Sequence, residues 1–335
     1  MLPNWIIIGA PKAGTSSLFQ WLADHPEVCG SQEKETYYFV DPGTHMYVAS
    51  RNFATQGLAG YEALFAHGDP QARVVLEATP GYLYHETALR ELPCLPSAPH
   101  FIVLLREPVA QIRSLFRYFQ QNWDWIPRLM TFSEFVETAD QERSSFKGNE
   151  LASGALRNAN YLDALRRWRD ACGAERLHVF LFEDMVADPR AFMVQLSKTL
   201  GVDPGFYETY NFPVENETYV ARNGLLQALN IRLRALIPQG RLYYLLRRAY
   251  RAVNTRSVQK PAGPPPVDEV SVERLLSRRY LVELPALERE FNLDLSSWRR
   301  TMEGRIHGLV TTDPGLSALS DPDAGATSHP GLHHT

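Results

Sequence analysis

Short apolar runs rich in β-branched residues recur along the first two thirds of the chain, separated by stretches of helical spacing. The runs are "NWIIIG" (4–9), "RVVLEA" (73–78), "HFIVLLR" (100–106) and "LHVFLFE" (177–183). Uninterrupted runs of this length predict strands covered on both faces. Between them, apolar residues return every three or four positions in "GTSSLFQWLADH" (14–25), "PVAQIRSLFRYFQ" (108–120), "NYLDALRRWRDAC" (160–172) and "PRAFMVQLSKTLG" (189–201). Asp188 is the expected N-cap of the last helix, Pro189 opens its first turn and Gly201 stops it. Strands alternating with helices predict an α/β fold, a single domain whose central, mainly parallel sheet is flanked by helices. Ligands of such sheets sit beyond the carboxyl ends of the strands. A further helix is expected over "DEVSVERLLSRRYLVELPALEREF" (268–291), which makes the C-terminal part helical.

Three later stretches depart from this alternation. Residues 222–251 carry seven arginines, and no acid occurs between Glu217 and Asp268. Such a stretch suits an acidic acceptor or an anionic membrane surface, and equally a solvated helix face. "KPAGPPP" (260–266) reads as a stiff connection between helices. After Trp298 the apolar content decays, so the packed domain is assigned to residues 1–303 and a disordered tail to 304–335.

Composition narrows the class. A chain of 335 residues with 44% hydrophobic content can bury a sizeable core. A formal net charge of −4 argues against wholesale nucleic-acid binding. Cys29, Cys94 and Cys172 show neither metal-ligand spacing nor a CxxC pair, so reduced thiols and a cytoplasmic location are expected. The apolar run at Ile6–Ile8 is too short to cross a bilayer or direct secretion.

The most informative stretch is "GAPKAGTSS" (9–17). Gly9 and Gly14 permit the tight turn and close backbone approach of a phosphate-cradling loop. A helix starting near Thr15 would aim its free N–H groups at the same spot, with hydroxyls from Thr15, Ser16 and Ser17 beside them. In the loop that binds nucleoside triphosphates, lysine follows the second glycine. Here Lys12 stands two residues before Gly14, and Thr15 occupies the usual lysine position. No metal-holding aspartate ends a neighbouring strand either, since "FIVLL" runs into Arg106.

At this point the chain resembles the sulfotransferases that use 3′-phosphoadenosine 5′-phosphosulfate (PAPS). Pro11-Lys12-Ala13-Gly14-Thr15-Ser16 is similar to their 5′-phosphosulfate loop. "LLREPVAQIRS" is similar to their 3′-phosphate element, with Arg106, Glu107, Pro108 and Ser114 at matching positions. "HPEV" (25–28), "KETYYFVD" (34–41), "EATPGYL" (77–83), "FEDMVADP" (182–189) and "LDLSSW" (293–298) resemble, in order, stretches of the heparan sulfate sulfotransferase branch and its bacterial relatives. The resemblance spans roughly residues 4 to 300.

The resemblance implies sulfuryl transfer to a hydroxyl of a carbohydrate, glycolipid or other small metabolite, without a required metal. Pro11 to Ser17 would hold the 5′ side of the donor and Arg106 with Ser114 the 3′-phosphate. Lys12 would stabilise the leaving oxygen, because the transferring group carries less charge than a phosphoryl group and a lysine can do what magnesium does for ATP. The branch's general base is a glutamate, which implies Glu35 here; a solvated carboxylate beside Lys34 is the plain alternative. No histidine lies between His100 and His178, where small-phenol and steroid sulfotransferases place theirs.

The chain departs from the branch in three places. Ala78 stands where the branch has lysine, and Tyr37 stands where it often has histidine. Its basic loop over the nucleotide is missing, and Arg222 in "NETYVARNG" (216–224) is the candidate replacement. Two rivals stay open: a magnesium-dependent small-molecule kinase, and a non-catalytic binder of adenosine 3′,5′-bisphosphate (PAP) or PAPS. Tyr82, Tyr84 and His85 could line an acceptor pocket or belong to the core. Trp168 reads as packing, and Glu183 and Asp184 as structural hydrogen bonding rather than metal binding.

Overall fold

The computed structural model describes residues 1–69, 71–123, 125–213, 219–221, 255–257 and 267–308. Ile6, Ile7 and Ile8 have no exposed surface, because their strand, β1 (Trp5–Gly9), lies in the middle of a five-stranded parallel sheet. The order is β2–β3–β1–β4–β5, with β2 at Val28–Gly30, β3 at Val74–Ala78, β4 at His100–Leu105 and β5 at Leu177–Leu181. Trp5 sits opposite Leu76 of β3 on one side and His100 of β4 on the other. The strands before β4 fill one side of β1 and the later ones fill the other. The loop leaving β1 therefore opens where the strand order reverses, the crevice in which sheets of this kind hold ligands. A separate antiparallel pair joins Tyr219–Ala221 to Thr255–Ser257.

The four expected helices form at Thr15–Ala23, Pro108–Asn122, Tyr161–Cys172 and Pro189–Leu200. Asp188 caps the last through the Ala191 N–H at 2.9 Å, and Gly201 ends it at φ 75°. Trp21, Trp168 and Trp298 are buried, each worth a few kcal/mol of apolar burial, about 1.5–3 for a large side chain. Trp168 donates its indole N–H to the Leu83 carbonyl at 3.1 Å, a packing role as its helical spacing implied. No described helix is long and apolar enough to cross a membrane.

Several elements differ from the apolar pattern. β5 stops at Leu181, and Phe182–Ala187 is a helix burying Phe182, Met185 and Val186. That spacing is hidden inside a continuous apolar run. Residues 268–291 form two helices, Val267–Leu281 and Leu284–Phe291, because Pro285 has no N–H to continue the ladder. The edge strand β2 has only three residues, too few to show a period. The helix Ser296–His307 runs past residue 303, where composition placed the end of the packed domain. The arginine-rich stretch 222–251, the connection 260–266 and most of the expected tail lie outside the described residues.

At the amino end of the sheet, His100 Nδ1 lies 3.0 Å from His178 Nε2, and the Trp5 ring stacks on His100 with centroids 4.6 Å apart. Burial, more than the neighbouring Arg176, holds His100 below the ordinary imidazole range. Burial and then His100 do the same to His178. The unfolded chain takes up protons near pH 6.5 that the folded pair refuses, so acidification below that value favours unfolding. Urea midpoints should fall between pH 7 and pH 5, and His178→Gln should flatten that slope while leaving the contribution of His85, which burial lowers as well. An unchanged slope in the variant would assign the acid sensitivity elsewhere.

Candidate active site

After β1 the chain turns through Lys12 at φ 67° and Gly14 at φ 86° into the helix Thr15–Ala23. Gly14 is required twice over: its φ is left-handed, and a Cβ there would meet Met185 at 2.7 Å and Phe182 at 2.8 Å. No side chain caps this helix and no acid occupies its first turn. An uncapped helix start behind a left-handed turn is a seat for an anion. Thr15 and Ser17 are buried, while Lys12 and Ser16 are half-buried.

The second motif holds this loop by its carbonyls. Arg106, just beyond β4, donates to the Lys12 carbonyl at 3.3 Å, and Gln111 donates to the Pro11 carbonyl at 2.9 Å. The Arg106 guanidinium lies 4.6 Å from the centre of the Phe182 ring. The third motif is therefore wedged against both: Phe182 backs Gly14 and Arg106, and Glu183 accepts the Glu107 N–H at 3.0 Å. Glu183 is thus structural, as expected. Glu107 caps the helix Pro108–Asn122 through Val109 and Ala110 and receives both terminal nitrogens of Arg305, at 2.9 and 3.1 Å. Ser114 is half-buried on that helix. One turn further on, Tyr118 places its ring 3.9 Å from the Lys12 ammonium.

Glu35 comes from the loop after β2 and is held in an unusual backbone region, φ 66°, with Tyr37 at φ 52°. Its N–H donates to the Ala78 carbonyl at 2.8 Å. Lys34 donates to one carboxylate oxygen at 2.5 Å, and the Tyr37 hydroxyl donates to the other. Burial alone would raise the Glu35 carboxyl; Lys34, Tyr37 and Lys12 overcome it and hold the group below the ordinary carboxylate range. Burial lowers the Lys12 ammonium to about 8, with Arg106 and Lys34 acting in the same direction and Glu35 opposing. Burial and then Glu35 push Tyr37 far up, so it remains a neutral donor.

The stretch "EATPGYL" supports that loop from beneath. Glu77 is fully buried and accepts from Thr79 at 2.6 Å, Thr36 at 2.9 Å and Tyr61 at 2.9 Å. Thr36 spends its proton on Glu77, so the Tyr82 hydroxyl, 3.0 Å away, donates to Thr36. The same hydroxyl accepts the N–H groups of Tyr38 and Phe39 at 2.9 and 3.3 Å. Tyr82 and His85 are buried and Tyr84 donates to the Asn158 carbonyl at 2.8 Å, which places these three with the core rather than with a pocket wall.

A family model described as "Sulfotransferase family" matches residues 3–206, more than half of the chain. The chain belongs to the sulfotransferase family. It is 27% identical over 172 residues to the membrane-associated sulfotransferase kil1 of Dictyostelium discoideum, covering 48% of this chain and 33% of that protein. It is 23% identical over 203 residues to mouse (Mus musculus) heparan sulfate glucosamine 3-O-sulfotransferase 5, covering 61% of this chain and 54% of the other. The chain thus spans a third to about half the length of these relatives. The crystal structure of a sulfotransferase from Alicyclobacillus acidocaldarius shares the fold with a TM-score of 0.61 at 20% identity, covering 90% of this chain and all of the other.

The family's expected residues Pro11, Lys12, Ala13, Gly14, Thr15, Ser16, Ser17, Arg106 and Glu35 converge at the carboxyl ends of β1, β2 and β4, with Ser114 on the adjoining helix. Arg222 lies outside the described residues. Sequence reasoning missed Lys34, Gln111, Tyr118 and Arg305 as members of the cluster. Lys34 and Gln111 lie within the matched stretches "KETYYFVD" and "LLREPVAQIRS", and Tyr118 follows Ser114 by one helical turn, whereas Arg305 had no such signal. Tyr82→Phe should cost about 1–3 kcal/mol, because two buried N–H groups and a threonine lose their partner. Its kcat should fall further than stability explains if the loop carrying Glu35 shifts, a comparison made by urea denaturation and turnover on the same preparation.

Proposed function

We propose that this protein transfers a sulfuryl group from PAPS to a hydroxyl of a carbohydrate, glycolipid or other small-metabolite acceptor. One observation carries the reading: the Arg106 guanidinium donates to the carbonyl of Lys12, so the two cations expected at opposite ends of the donor share one crevice. The site also fits the donor in detail. Gly14 lets the loop turn against Phe182 and Met185, and the uncapped helix start suits its 5′-phosphate. Arg106 and Ser114 suit the 3′-phosphate, which a planar guanidinium can grip with two hydrogen bonds.

When bound, the donor supplies a sulfuryl group and departs as PAP. Lys12 stabilises negative charge on the departing phosphate, an electrostatic contribution of about 3–4 kcal/mol in favourable sites. Glu35 takes the acceptor's proton. Its carboxylate stays ionised through the neutral range, and a loose transfer demands only modest basicity. Lys34 and Tyr37 fix both of its oxygens, which orients the base. The mouse relative's name, a 3-O-sulfotransferase of heparan sulfate, supports a carbohydrate hydroxyl as acceptor. Three unpaired cysteines support a cytoplasmic location. The basic stretch 222–251 is a proposed contact for an acidic acceptor or membrane surface.

PAP should raise the melting temperature well above the shift given by ADP, because only PAP engages a 3′-phosphate site. A larger shift with magnesium-ATP would instead favour the kinase, and PAP binding without transfer to any acceptor the non-catalytic binder. Lys12→Ala should cut kcat by about 10²–10³ with a smaller change in donor affinity. Arg106→Ala should do the reverse. Because the cationic form of Lys12 attracts the donor, PAP affinity should decline as pH rises through about 8. Lys12→Arg should remove that decline, which titration calorimetry at pH 7 and 9 would show.

A further inference from the structure

Arg117 is half-buried and makes no hydrogen bond or ion pair among the described residues. Glu269 and Glu273 attract its charge without a direct hydrogen bond to it, which leaves its N–H donors available to an anion. The acids nearby are engaged by another residue. Glu269 and Glu273 both hold Arg113, at 2.7 and 2.6 Å, and Glu273 also lies 4.0 Å from Arg305. Arg113 is further fixed over the Phe132 ring, 4.4 Å from its centre. Arg117 follows Ser114 by three residues and precedes Tyr118 by one, so it shares a face of the helix Pro108–Asn122 with Ser114. Burial and then Arg113 disfavour its charge, Glu269 and Glu273 favour it, and Arg106 lies close enough to add to the repulsion.

We infer that Arg117 is a second guanidinium for the donor's 3′-phosphate, closing on it from the helix while Arg106 closes from the end of β4. The inference rests on the donor reading above and adds to it a residue that the family's motif does not contain. A phosphate monoester carries close to two negative charges, and two guanidiniums with a serine hydroxyl match both its charge and its acceptor oxygens. Arg113, locked on its two acids, is not available for that role.

Binding of PAP and of adenosine 5′-phosphate, which lacks the 3′ group, separates the possibilities. Titration calorimetry on the full chain should show that Arg117→Gln weakens PAP by about tenfold or more and leaves adenosine 5′-phosphate within about twofold. Arg117→Lys should recover part of the loss. A variant that loses both ligands equally would mark Arg117 as structural and overturn the inference, as would a variant that keeps the full preference for PAP. Should the wild-type protein itself bind both ligands alike, the donor reading falls and this inference falls with it.

Discussion

Lys12 and Arg106 are like charges held in one half-buried crevice, and the rest of the carboxyl-end face of the sheet answers that constraint. Their mutual repulsion is one reason the Lys12 ammonium is driven down to about 8. Glu35 offsets part of that repulsion at Lys12, and neutral groups help to hold the two side chains in place. Arg106 rests on a backbone carbonyl and an aromatic face, and Lys12 rests on the Tyr118 ring. Carbonyl dipoles and aromatic faces hold a cation in place without cancelling a full charge. A site kept this way has a standing attraction for anions, and a ligand bringing several negative charges relieves the strain that assembling it creates.

The carboxylate of Glu35 sits beside those cations, clamped by two donors and carried on backbone that few residues adopt. Strained dihedrals persist only where surroundings over-determine them. Here the surroundings are the buried carboxylate of Glu77 and the hydroxyl of Tyr82, which together engage Thr36 and the amides of Tyr38 and Phe39. The two ends of the "EATPGY" stretch thus act on the loop above them rather than on a substrate. Tyr37 supplies a neutral hydroxyl to Glu35.

Much of this was legible in the sequence, for identifiable reasons. The buried strands announce themselves because a parallel sheet demands continuous apolar runs, and the phosphate loop because its glycines have no substitute. Asp188, Pro189 and Gly201 gave both ends of one helix, since capping chemistry is local. The failures were equally physical. The run "LHVFLFE" at 177–183 does not say where strand becomes helix. Gln111 and Arg305 join the site through contacts across 100 and 198 residues, which no local pattern encodes. The plain alternative for Glu35, a solvated carboxylate, stayed open because adjacency in sequence does not reveal that the Lys34 ammonium folds back onto it.

The bidentate contact between Arg305 and Glu107 ties the last described helix to the residue that caps the helix carrying Ser114. Glu107 is 4% exposed, so in the folded chain its carboxylate is satisfied by that arginine and by the helix amides rather than by water. On the ribosome, every strand of the sheet emerges long before residue 305. The sheet can therefore form before the contact that anchors this cap, and the finished carboxyl-end face waits for residues that follow far later in the chain.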